Sequence, residues 1–307
     1  MILHTDTNQG YFLDQLGVKW YLDYSDNVSS IPAGKKKLVH IGSLPGPSSQ
    51  RIKEIAQQAP GSIWYILGEP NRTAGLSVSD TLVTQLHSLY TAIKAADPTA
   101  KITSPSVLNW DFTCIGCAGE GYQSGHSWTE QFLATYRQKY NAEPPIDIWA
   151  IDTYPLDWKN LPTVNHQIVI DQMTGLRQYL NGLSAHRDKP IMVTELALHW
   201  GYSCPRPQVW PEGCFLSSSQ GIAPQLGSVY QEEAVKQYLN NVFNWLEANA
   251  DSLKIEKWFI YRTYFKIGVG APNQWGYHGL TMFNGPSVGA NLTPIGQLIK
   301  NRIQGIK

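Results

Sequence analysis

Short apolar runs alternate with amphipathic stretches along the whole chain. The runs are rich in β-branched and aromatic residues and are apolar at nearly every position, which is typical of strands buried on both faces of a parallel sheet. They predict strands over residues 18–23, 37–41, 63–68, 101–104, 146–153, 190–194 and 257–262, with 2–5 as one further candidate.

The stretches between these runs carry apolar residues three and four positions apart, which is the spacing of a helix with one buried face. Ser127 with Glu130 forms a capping box, and Thr293 followed by Pro294 is a helix cap followed by a first-turn proline. The predicted helices cover 48–58, 79–96, 129–140, 164–183, 228–246 and a final segment that begins at 293.

Strands and helices alternate in this way seven or eight times within 307 residues. That alternation indicates either a doubly wound sheet or a (β/α)8 barrel. No glycine-rich turn follows the first strand, and no GxGxxG or GxxxxGK[ST] segment occurs, which argues against a nucleotide-binding doubly wound sheet. The sequence therefore predicts an α/β protein that is a single (β/α)8 TIM barrel, one domain over 1–307. Two long loops, at 109–126 and 203–226, are expected to be functional or stapled by disulfides.

The charge balance narrows the range of partners. The chain has 24 basic and 24 acidic side chains, 16% charged residues, and 11 Trp, 16 Tyr and 8 Phe. Its charges form no cation-rich stretch for nucleic acid, and no apolar run reaches the roughly 18 residues of a membrane span. We expect a monomer that binds neither nucleic acid nor membrane, and whose aromatic side chains suit an uncharged partner.

The four cysteines form two close pairs, Cys114 with Cys117 and Cys204 with Cys214, in segments rich in Gly, Pro and Ser. This pattern favours two local disulfides, while free thiols, a zinc site and a redox CxxC remain alternatives. Disulfides indicate an oxidising compartment. Residues 1–4 show no signal-peptide features, so the protein is either cytosolic or has lost a leader. The cysteine pairs favour the second alternative, and we expect a secreted or extracytoplasmic protein whose leader is not part of this sequence.

Two glutamates directly follow buried apolar strands: Glu69 in WYILGEPN and Glu195 in PIMVTE. Chemistry in a barrel lies at the C-terminal ends of the strands, and a carboxylate buried there is paired, capping or catalytic. Taken singly, Glu69 could be a cap before Pro70, and Glu195 could pair with Arg262. Taken together, two carboxyl groups in one pocket are the arrangement that glycoside hydrolysis uses.

Other hydrolytic chemistries have weaker support in the sequence. His40 and Asp152 could suggest a metal site, but no HxH or HExxH segment accompanies them. A serine nucleophile would need a GxSxG elbow that joins a strand to a helix, and no predicted strand leads directly into a GxSxG segment. We therefore expect a hydrolase that uses no metal and no cofactor.

These strands resemble the signature strands of the retaining glycoside hydrolases of clan A, in which the acid/base Glu ends barrel strand 4 and the nucleophile Glu ends strand 7. With 2–5 as strand 1, Glu69 and Glu195 fall on strands 4 and 7. The order of segments from VKWYLDY through IWYILGEPN, IDIWAIDTYP and KPIMVTE to KWFIYRTY is similar to that of the endo-β-1,3-glucanases of glycoside hydrolase family 128. This resemblance runs over most of the chain.

The resemblance implies hydrolysis of a β-linked glycan by double displacement, with Glu195 as nucleophile and Glu69 as acid and then base. Tyr154 matches the clan's strand-6 tyrosine, which hydrogen-bonds the nucleophile, and Arg262 is expected to keep Glu195 ionised. Gly68 stands where the clan usually has an Asn that contacts the sugar 2-hydroxyl, which leaves the identity of the sugar open.

Sugar rings stack on aromatic side chains and hydrogen-bond through their hydroxyl groups. Several aromatic and polar residues, Tyr24 among the aromatic ones, lie near the predicted catalytic face. The residues predicted to bind substrate are Trp20, Asn71, Asn109, Trp110, Asp152, His199, Trp200, Tyr264 and Trp275.

The sequence leaves three alternatives open. A carbohydrate-binding barrel without activity would keep the fold and the aromatics, and Gly68 is its best support. A transglycosylase would use the same two glutamates. The polysaccharide or oligosaccharide substrate could be β-mannan, β-1,4-glucan or a galactan in place of β-1,3-glucan, cleaved in endo or exo fashion.

Overall fold

The computed structural model describes residues 1–72, 77–111, 123–155, 164–200, 232–264, 277–278 and 282–306. Within these ranges the strands follow the apolar runs of the sequence. They are β1 (Trp20–Tyr21), β2 (Lys36–Ile41), β3 (Ile63–Ile66), β4 (Lys101–Ile102), β5 (Val107–Leu108), β6 (Trp149–Thr153), β7 (Ile191–Leu196), β8 (His199–Trp200), β9 (Ile255–Ile260) and β10 (Tyr277–His278).

The strands form two four-stranded parallel sheets with the orders β1-β2-β3-β4 and β5-β6-β7-β9. A separate antiparallel pair joins β8 to β10. The predicted α/β class with parallel strands is confirmed.

Backbone contacts connect the edges of the two sheets. Thr103, just after β4, forms a parallel bridge with Ile148, just before β6. On the other side, Ile2 bridges to Leu22 and donates its backbone N–H to the carbonyl of Ile260 at 3.0 Å. Residue 2 thus occupies the place expected of a first strand, although it forms a bridge rather than the predicted strand over 2–5.

Helices connect the parallel strands and begin where side chains can cap them. Ser48, Ser79 and Thr293 each accept a hydrogen bond from a first-turn backbone N–H, and the sequence predicted helices that begin at these three positions. The helices are α1 (Gln9–Leu16), α2 (Ser49–Gln58), α3 (Asp80–Ala96), α4 (Gly125–Tyr140), α5 (His166–Asn181), α6 (Glu232–Asn249) and α7 (Pro294–Ile303), with a 3-10 turn at Pro70–Arg72.

Two helix starts differ from the prediction. α1 was not predicted, because it has eight residues and its N-cap Asn8 makes no side-chain cap hydrogen bond. α4 begins earlier than expected, since Ser124 rather than Ser127 caps it by accepting from the N–H of Ser127. The predicted start of the long helix at 228 lies outside the described residues.

Two apolar clusters hold these elements together. The smaller cluster lies between the two sheets and contains Ile2, Leu22, Leu38, Ile63, Tyr65, Ile148, Met192 and Phe259. The larger cluster lies between the strands and the helices that cover them. None of the helices in the described part of the chain combines the length and apolar character needed to cross a membrane.

Candidate active site

Three carboxyl groups meet at the C-terminal ends of the strands. One oxygen each of Glu69, Asp152 and Glu195 lies within 4.8 Å of the other two. Glu69 follows β3, Asp152 lies in β6 and Glu195 lies near the end of β7. The two glutamates that the sequence singled out are therefore neighbours, and a third carboxyl group lies beside them.

A β-bulge aims Glu195 at the site. In the β6–β7 ladder Val193 pairs with Ile151 and Glu195 pairs with Asp152, so Thr194 is an extra residue on β7. The β7–β9 ladder shifts in register over the same residues. Successive side chains of a regular strand point to opposite faces, so without the bulge Glu195 would point to the face opposite Thr194. With it, both side chains reach the carboxyl cluster.

Left-handed backbone turns place Glu69. Leu67 and Glu69 have φ of 51° and 50°, a region that branched and long side chains rarely adopt. The Glu69 N–H donates to the Ser106 carbonyl at 2.7 Å, and the Pro70–Arg72 turn brings the Arg72 guanidinium onto the Glu69 carboxylate. Strain of this kind is characteristic of functional sites.

The neighbourhood of Gly68 explains its departure from the clan pattern. A Cβ atom at this position would lie 2.9 Å from the hydroxyl oxygen of Tyr65, closer than real Cβ contacts. Tyr65 belongs to the cluster between the sheets and is fully buried. An Asn at position 68 would therefore need Tyr65 to move.

Two tyrosines hold the Glu195 carboxylate. Tyr24 donates to Oε1 and Tyr154 donates to Oε2. The predicted role of Tyr154 thus has a matching contact, whereas the sequence placed Tyr24 only among the nearby aromatics. Its position after the run 18–23, at the C-terminal end of a strand, was the signal that could have assigned it.

A buried ion pair anchors the segment that carries Tyr24. The Lys37 Nζ lies 2.6 Å from Asp23 Oδ1, and the two side chains are only 1% and 3% exposed. The same ammonium donates to the hydroxyl of Ser25 and to the carbonyl of Asn27. Because the pair braces residues on both sides of Tyr24, it fixes the direction of the Tyr24 hydroxyl.

Burial and the neighbouring Glu69 raise the pKa of Glu195 to about 7, against the hydrogen bonds from Tyr154 and Tyr24 and the charge of Arg72, which lower it. Two carboxyl groups this close do not ionise together easily, so the pair keeps one proton to near neutral pH. Such a pair suits acid/base chemistry on a bound substrate.

The spacing of the three carboxyl oxygens would also accommodate a cation. Their surroundings favour proton transfer over metal binding, because both oxygens of Glu195 already accept protein hydroxyls and an oxygen of Asp152 is hydrogen-bonded to the hydroxyl of Thr194. Protein hydroxyl donors compete with a metal for the same lone pairs. The arrangement is therefore better suited to proton transfer and nucleophilic attack.

Two predicted sugar-binding asparagines are instead backbone clamps. Asn71 accepts from the N–H of Leu108 at 2.8 Å and donates to its carbonyl at 2.9 Å, and Asn109 pairs in the same way with Tyr154. Their side chains are 1% and 2% exposed. Each carboxamide makes the two hydrogen bonds that the backbone of a neighbouring strand would make, and so fixes the strand ends around the site.

Two predicted stacking residues lie elsewhere. Trp110 is 2% exposed, and its ring stacks on His126 with centroids 4.9 Å apart. Trp20 is at the N-terminal end of the sheet, opposite the carboxyl cluster, with the ammonium groups of Lys36 and Lys257 at 5.3 and 4.9 Å from its ring centroid. Neither position fits a platform for a sugar at the two glutamates.

The arginine expected to orient Glu195 makes other contacts. Arg262 donates to the carbonyl of Tyr264 at 3.0 Å and to the hydroxyl of Tyr261 at 3.3 Å. Tyr24 supplies the second hydrogen bond to Glu195 in its place. Tyr264 is partly exposed and contacts His4 edge to face, so its binding role stays a prediction. Asp152 is fully buried, which does not suit the predicted contact with a sugar hydroxyl.

Several predicted residues lie outside what the structure describes. The backbone of His199 and Trp200 forms β8, but their side chains are outside the described residues, as is all of Trp275. The same holds for most of the two long loops and for the four cysteines, Cys114, Cys117, Cys204 and Cys214.

Comparison with known proteins agrees with this geometry. A family model described as "Glycosyl hydrolase catalytic core" matches residues 1–298. No curated protein matches the chain in sequence.

Solved structures share the fold over nearly its whole length. A subgroup II GH128 endo-β-1,3-glucanase from Pseudomonas viridiflava is similar with a TM-score of 0.61 and 17% identity, covering 98% of this chain and 95% of that one. A subgroup I GH128 endo-β-1,3-glucanase from Amycolatopsis mediterranei, in complex with laminaritriose and laminaribiose, has a TM-score of 0.56 and 13% identity over 97% and 96%. A subgroup VII GH128 oligosaccharide-binding protein from Cryptococcus neoformans has a TM-score of 0.54 and 15% identity over 97% and 92%.

Proposed function

This chain belongs to the family of glycosyl hydrolase catalytic cores, and we propose that it cleaves β-1,3-glucan with retention of the anomeric configuration. The observation that carries the proposal is the approach of Glu69 and Glu195 to within 4.8 Å at the ends of two parallel strands. Retaining enzymes hold their two carboxyl groups about 5–5.5 Å apart, whereas inverting enzymes leave room for a water.

The mechanism assigns one role to each glutamate. Glu195 attacks the anomeric carbon while Glu69 gives its proton to the leaving glycosidic oxygen, so a covalent glycosyl ester forms on Glu195. Glu69 then takes a proton from water, the water oxygen bonds to the anomeric carbon, and Glu195 leaves as a carboxylate.

The hydrogen bonds support this division of roles. Tyr24 and Tyr154 each donate to a different oxygen of Glu195, which stabilises its ionised form. In the sugar-free protein the guanidinium of Arg72 contacts the carboxyl group of Glu69. Since Glu69 must hold a proton to act as acid, binding of the glycan must separate Arg72 from it.

The β-1,3 linkage rests on the similar solved structures, two of which are endo-β-1,3-glucanases. We propose endo cleavage on the same ground. We also propose that the two sheets are parts of one (β/α)8 barrel. The bridge between Thr103 and Ile148 and the hydrogen bond from Ile2 to Ile260 support that closure.

We also propose that the protein has a single domain over 1–307, is monomeric, has an extracytoplasmic location and contains two local disulfides. Mass spectrometry of peptides from the non-reduced protein tests the disulfides, because linked peptides would contain Cys114 with Cys117 and Cys204 with Cys214.

A second candidate function is oligosaccharide binding without cleavage. The ion pair between Arg72 and Glu69 favours it, because the guanidinium occupies a carboxyl oxygen of Glu69 that an acid catalyst would direct at the leaving group. The similar structure of an oligosaccharide-binding protein shows that this fold also accommodates such a protein.

A panel of polysaccharides separates the two candidates. Wild type, Glu69→Ala, Glu195→Ala and the surface control Glu54→Gln are assayed for reducing-sugar release from β-1,3-glucan, β-1,4-glucan, β-mannan and galactan. We expect release from β-1,3-glucan, unchanged in the control and reduced at least about 100-fold in both active-site variants. Azide should rescue Glu195→Ala to an α-glycosyl azide and Glu69→Ala to a β-glycosyl azide. Wild type that binds laminari-oligosaccharides but releases no sugar from any polymer would favour the binding protein.

A further inference from the structure

A polar cluster without solvent contact lies next to the two glutamates. It consists of Tyr65, Ser106, Asp152 and Thr194, all fully buried, and we call it the bulge cluster. Thr194 Oγ1 lies 2.6 Å from Asp152 Oδ1 and 2.6 Å from Ser106 Oγ. Tyr65 Oη lies 3.3 Å from Asp152 Oδ2. Buried polar groups in such a network specify a geometry when every member is satisfied.

Thr194 is the residue that the bulge adds to β7. Its neighbours Val193 and Glu195 both have partners across the ladder to β6, and Thr194 has none there. The Thr194 hydroxyl therefore anchors the bulge through its bonds to Asp152 and Ser106. Because Glu195 is the next residue, any movement of Thr194 changes the direction of the Glu195 carboxylate.

The charge of Asp152 decides how this anchor works. Its carboxyl group faces the carboxyl groups of Glu69 and Glu195 and the hydroxyl of Tyr65, and within the described ranges no arginine or lysine pairs with it. Arg72 pairs with Glu69 instead. Burial and the two glutamates raise the pKa of Asp152 well above its usual range. A third negative charge here would be buried and uncompensated, which is strongly unfavourable.

A proton count points in the same direction. The Thr194 hydroxyl has three oxygen neighbours: Asp152 Oδ1, Ser106 Oγ and the carbonyl of Ile151 at 3.3 Å. It has one proton to donate, and the carbonyl can only accept. If Asp152 carries a proton, Asp152 donates to Thr194, and Thr194 can donate to Ile151. An ionised Asp152 would take the Thr194 proton and leave the Ile151 carbonyl without it.

We propose that Asp152 is an uncharged positioning residue that anchors the Thr194 bulge and thereby aims Glu195 at the anomeric carbon. This inference deepens the proposed function and rests on it for the identity of the reaction. Asp152 itself touches neither the sugar nor the reacting atoms. Its effect passes through one hydroxyl group and one residue of backbone.

The test uses two matched pairs of variants. Thr194→Val removes the hydroxyl and keeps the shape, while Thr194→Ser keeps the hydroxyl. Asp152→Asn keeps an uncharged group of the same size, while Asp152→Leu removes the polar group. For each, kcat and KM on a soluble β-1,3-glucan are measured across pH, and thermal unfolding shows whether the variant is folded.

We expect Thr194→Val to lower kcat by about 100-fold with KM changed little, because a displacement on the order of 1 Å has that cost. Thr194→Ser should stay within about 3-fold of wild type, and Asp152→Asn should leave both limbs of the pH profile in place. If Asp152 were ionised, removing its charge from within 4.8 Å of Glu195 would lower the apparent pKa values by about two units. Such a shift, or a Thr194→Val kcat within about 2-fold of wild type, would overturn the proposal.

Two readouts do not depend on activity. A carbon-13 NMR titration of labelled aspartate carboxyl groups should show that Asp152 stays protonated across neutral pH. A crystal structure of Thr194→Val should show the Glu195 carboxylate displaced from Tyr24 and Tyr154. If wild type is inactive on every glycan, the proposed function fails, and these two measurements still decide the role of Asp152. An Asp152 that titrates near its usual range, or an unmoved Glu195, would refute it.

Discussion

Removing the hydroxyl of Tyr24 should move the acid limb of the pH–activity profile toward higher pH. Tyr24 donates to one oxygen of Glu195 and thereby stabilises the carboxylate that attacks the sugar. A hydrogen bond to a charged group contributes about 1.5–3 kcal/mol, and one pKa unit corresponds to about 1.4 kcal/mol. Tyr24→Phe should therefore raise the pKa of Glu195 by about one to two units. Below the new pKa, kcat/KM falls about tenfold for each unit of that shift.

The assay is the pH dependence of kcat/KM on laminari-oligosaccharides for wild type, Tyr24→Phe and Tyr154→Phe. Tyr154→Phe should give a shift of similar size, because Tyr154 donates to the other oxygen. Tyr21→Phe is the matched control, since the buried Tyr21 hydroxyl has no hydrogen-bond partner within the described part of the chain. An acid limb that stays at its wild-type position in Tyr24→Phe, with unfolding unchanged, would refute the account of how Glu195 is held ionised.

Three further predictions concern stability. In the folded protein the pKa of Glu195 is raised from 4.5 to about 7. The contribution of Glu195 to the stability of the fold is therefore complete below pH 4.5 and is lost as the pH rises through about 7. Relative to wild type, the free energy of unfolding of Glu195→Gln in urea should thus rise by about 3 kcal/mol between about pH 4 and pH 8, and the same difference at both pH values would contradict this. Lys37→Met leaves a buried aspartate without its cation and should lower the free energy of unfolding by about 3–5 kcal/mol. Lys35→Met breaks a pair with a 70% exposed partner and should lower it by at most about 1 kcal/mol. Similar losses in the two variants would contradict this difference between buried and exposed pairs. Gly296→Ala should lose about 1–3 kcal/mol, because its Cβ would lie 2.1 Å from a backbone carbonyl oxygen. Gly10→Ala, with its nearest neighbour at 3.6 Å, should gain about 0.5–1 kcal/mol, and thermal unfolding of the two variants checks the sign.

The strands were predictable because parallel strands buried on both faces require apolar side chains at nearly every position. The runs around 37–41, 63–68 and 190–194 match β2, β3 and β7 within a few residues. The starts of α2, α3 and α7, which have a serine or threonine cap, were equally visible. α1 was not, because an eight-residue helix without a side-chain cap has no start signal in the sequence.

The two glutamates could be found because a charged residue directly after an apolar strand is unusual. Their orientation could not be found in the same way. Strand alternation from Met192 places Thr194 inward and Glu195 outward, and the bulge that corrects this is set by tertiary hydrogen bonds. The two-residue alternation of a strand sequence does not reveal where a bulge inserts an extra residue.

The polar and aromatic residues around the site show a second limit. A carboxamide such as that of Asn71 can pair with a sugar hydroxyl or with a backbone amide, and the same donor and acceptor serve both. Burial decides between them, and burial depends on the whole fold. Trp20 and Tyr24 lie at opposite ends of the same predicted strand. For that reason Tyr24 hydrogen-bonds to Glu195, whereas Trp20 lies at the far end of the sheet.

The central claim is that Glu195 and Glu69 hydrolyse a β-1,3-glucan by double displacement, and the stereochemistry of the first product tests it most directly. Proton NMR of the reaction on a laminari-oligosaccharide records which anomer appears before mutarotation mixes the two. The account predicts that the β anomer accumulates first, and that Glu195→Ala releases none. An α anomer formed first, or no sugar released by the wild-type protein, would contradict it.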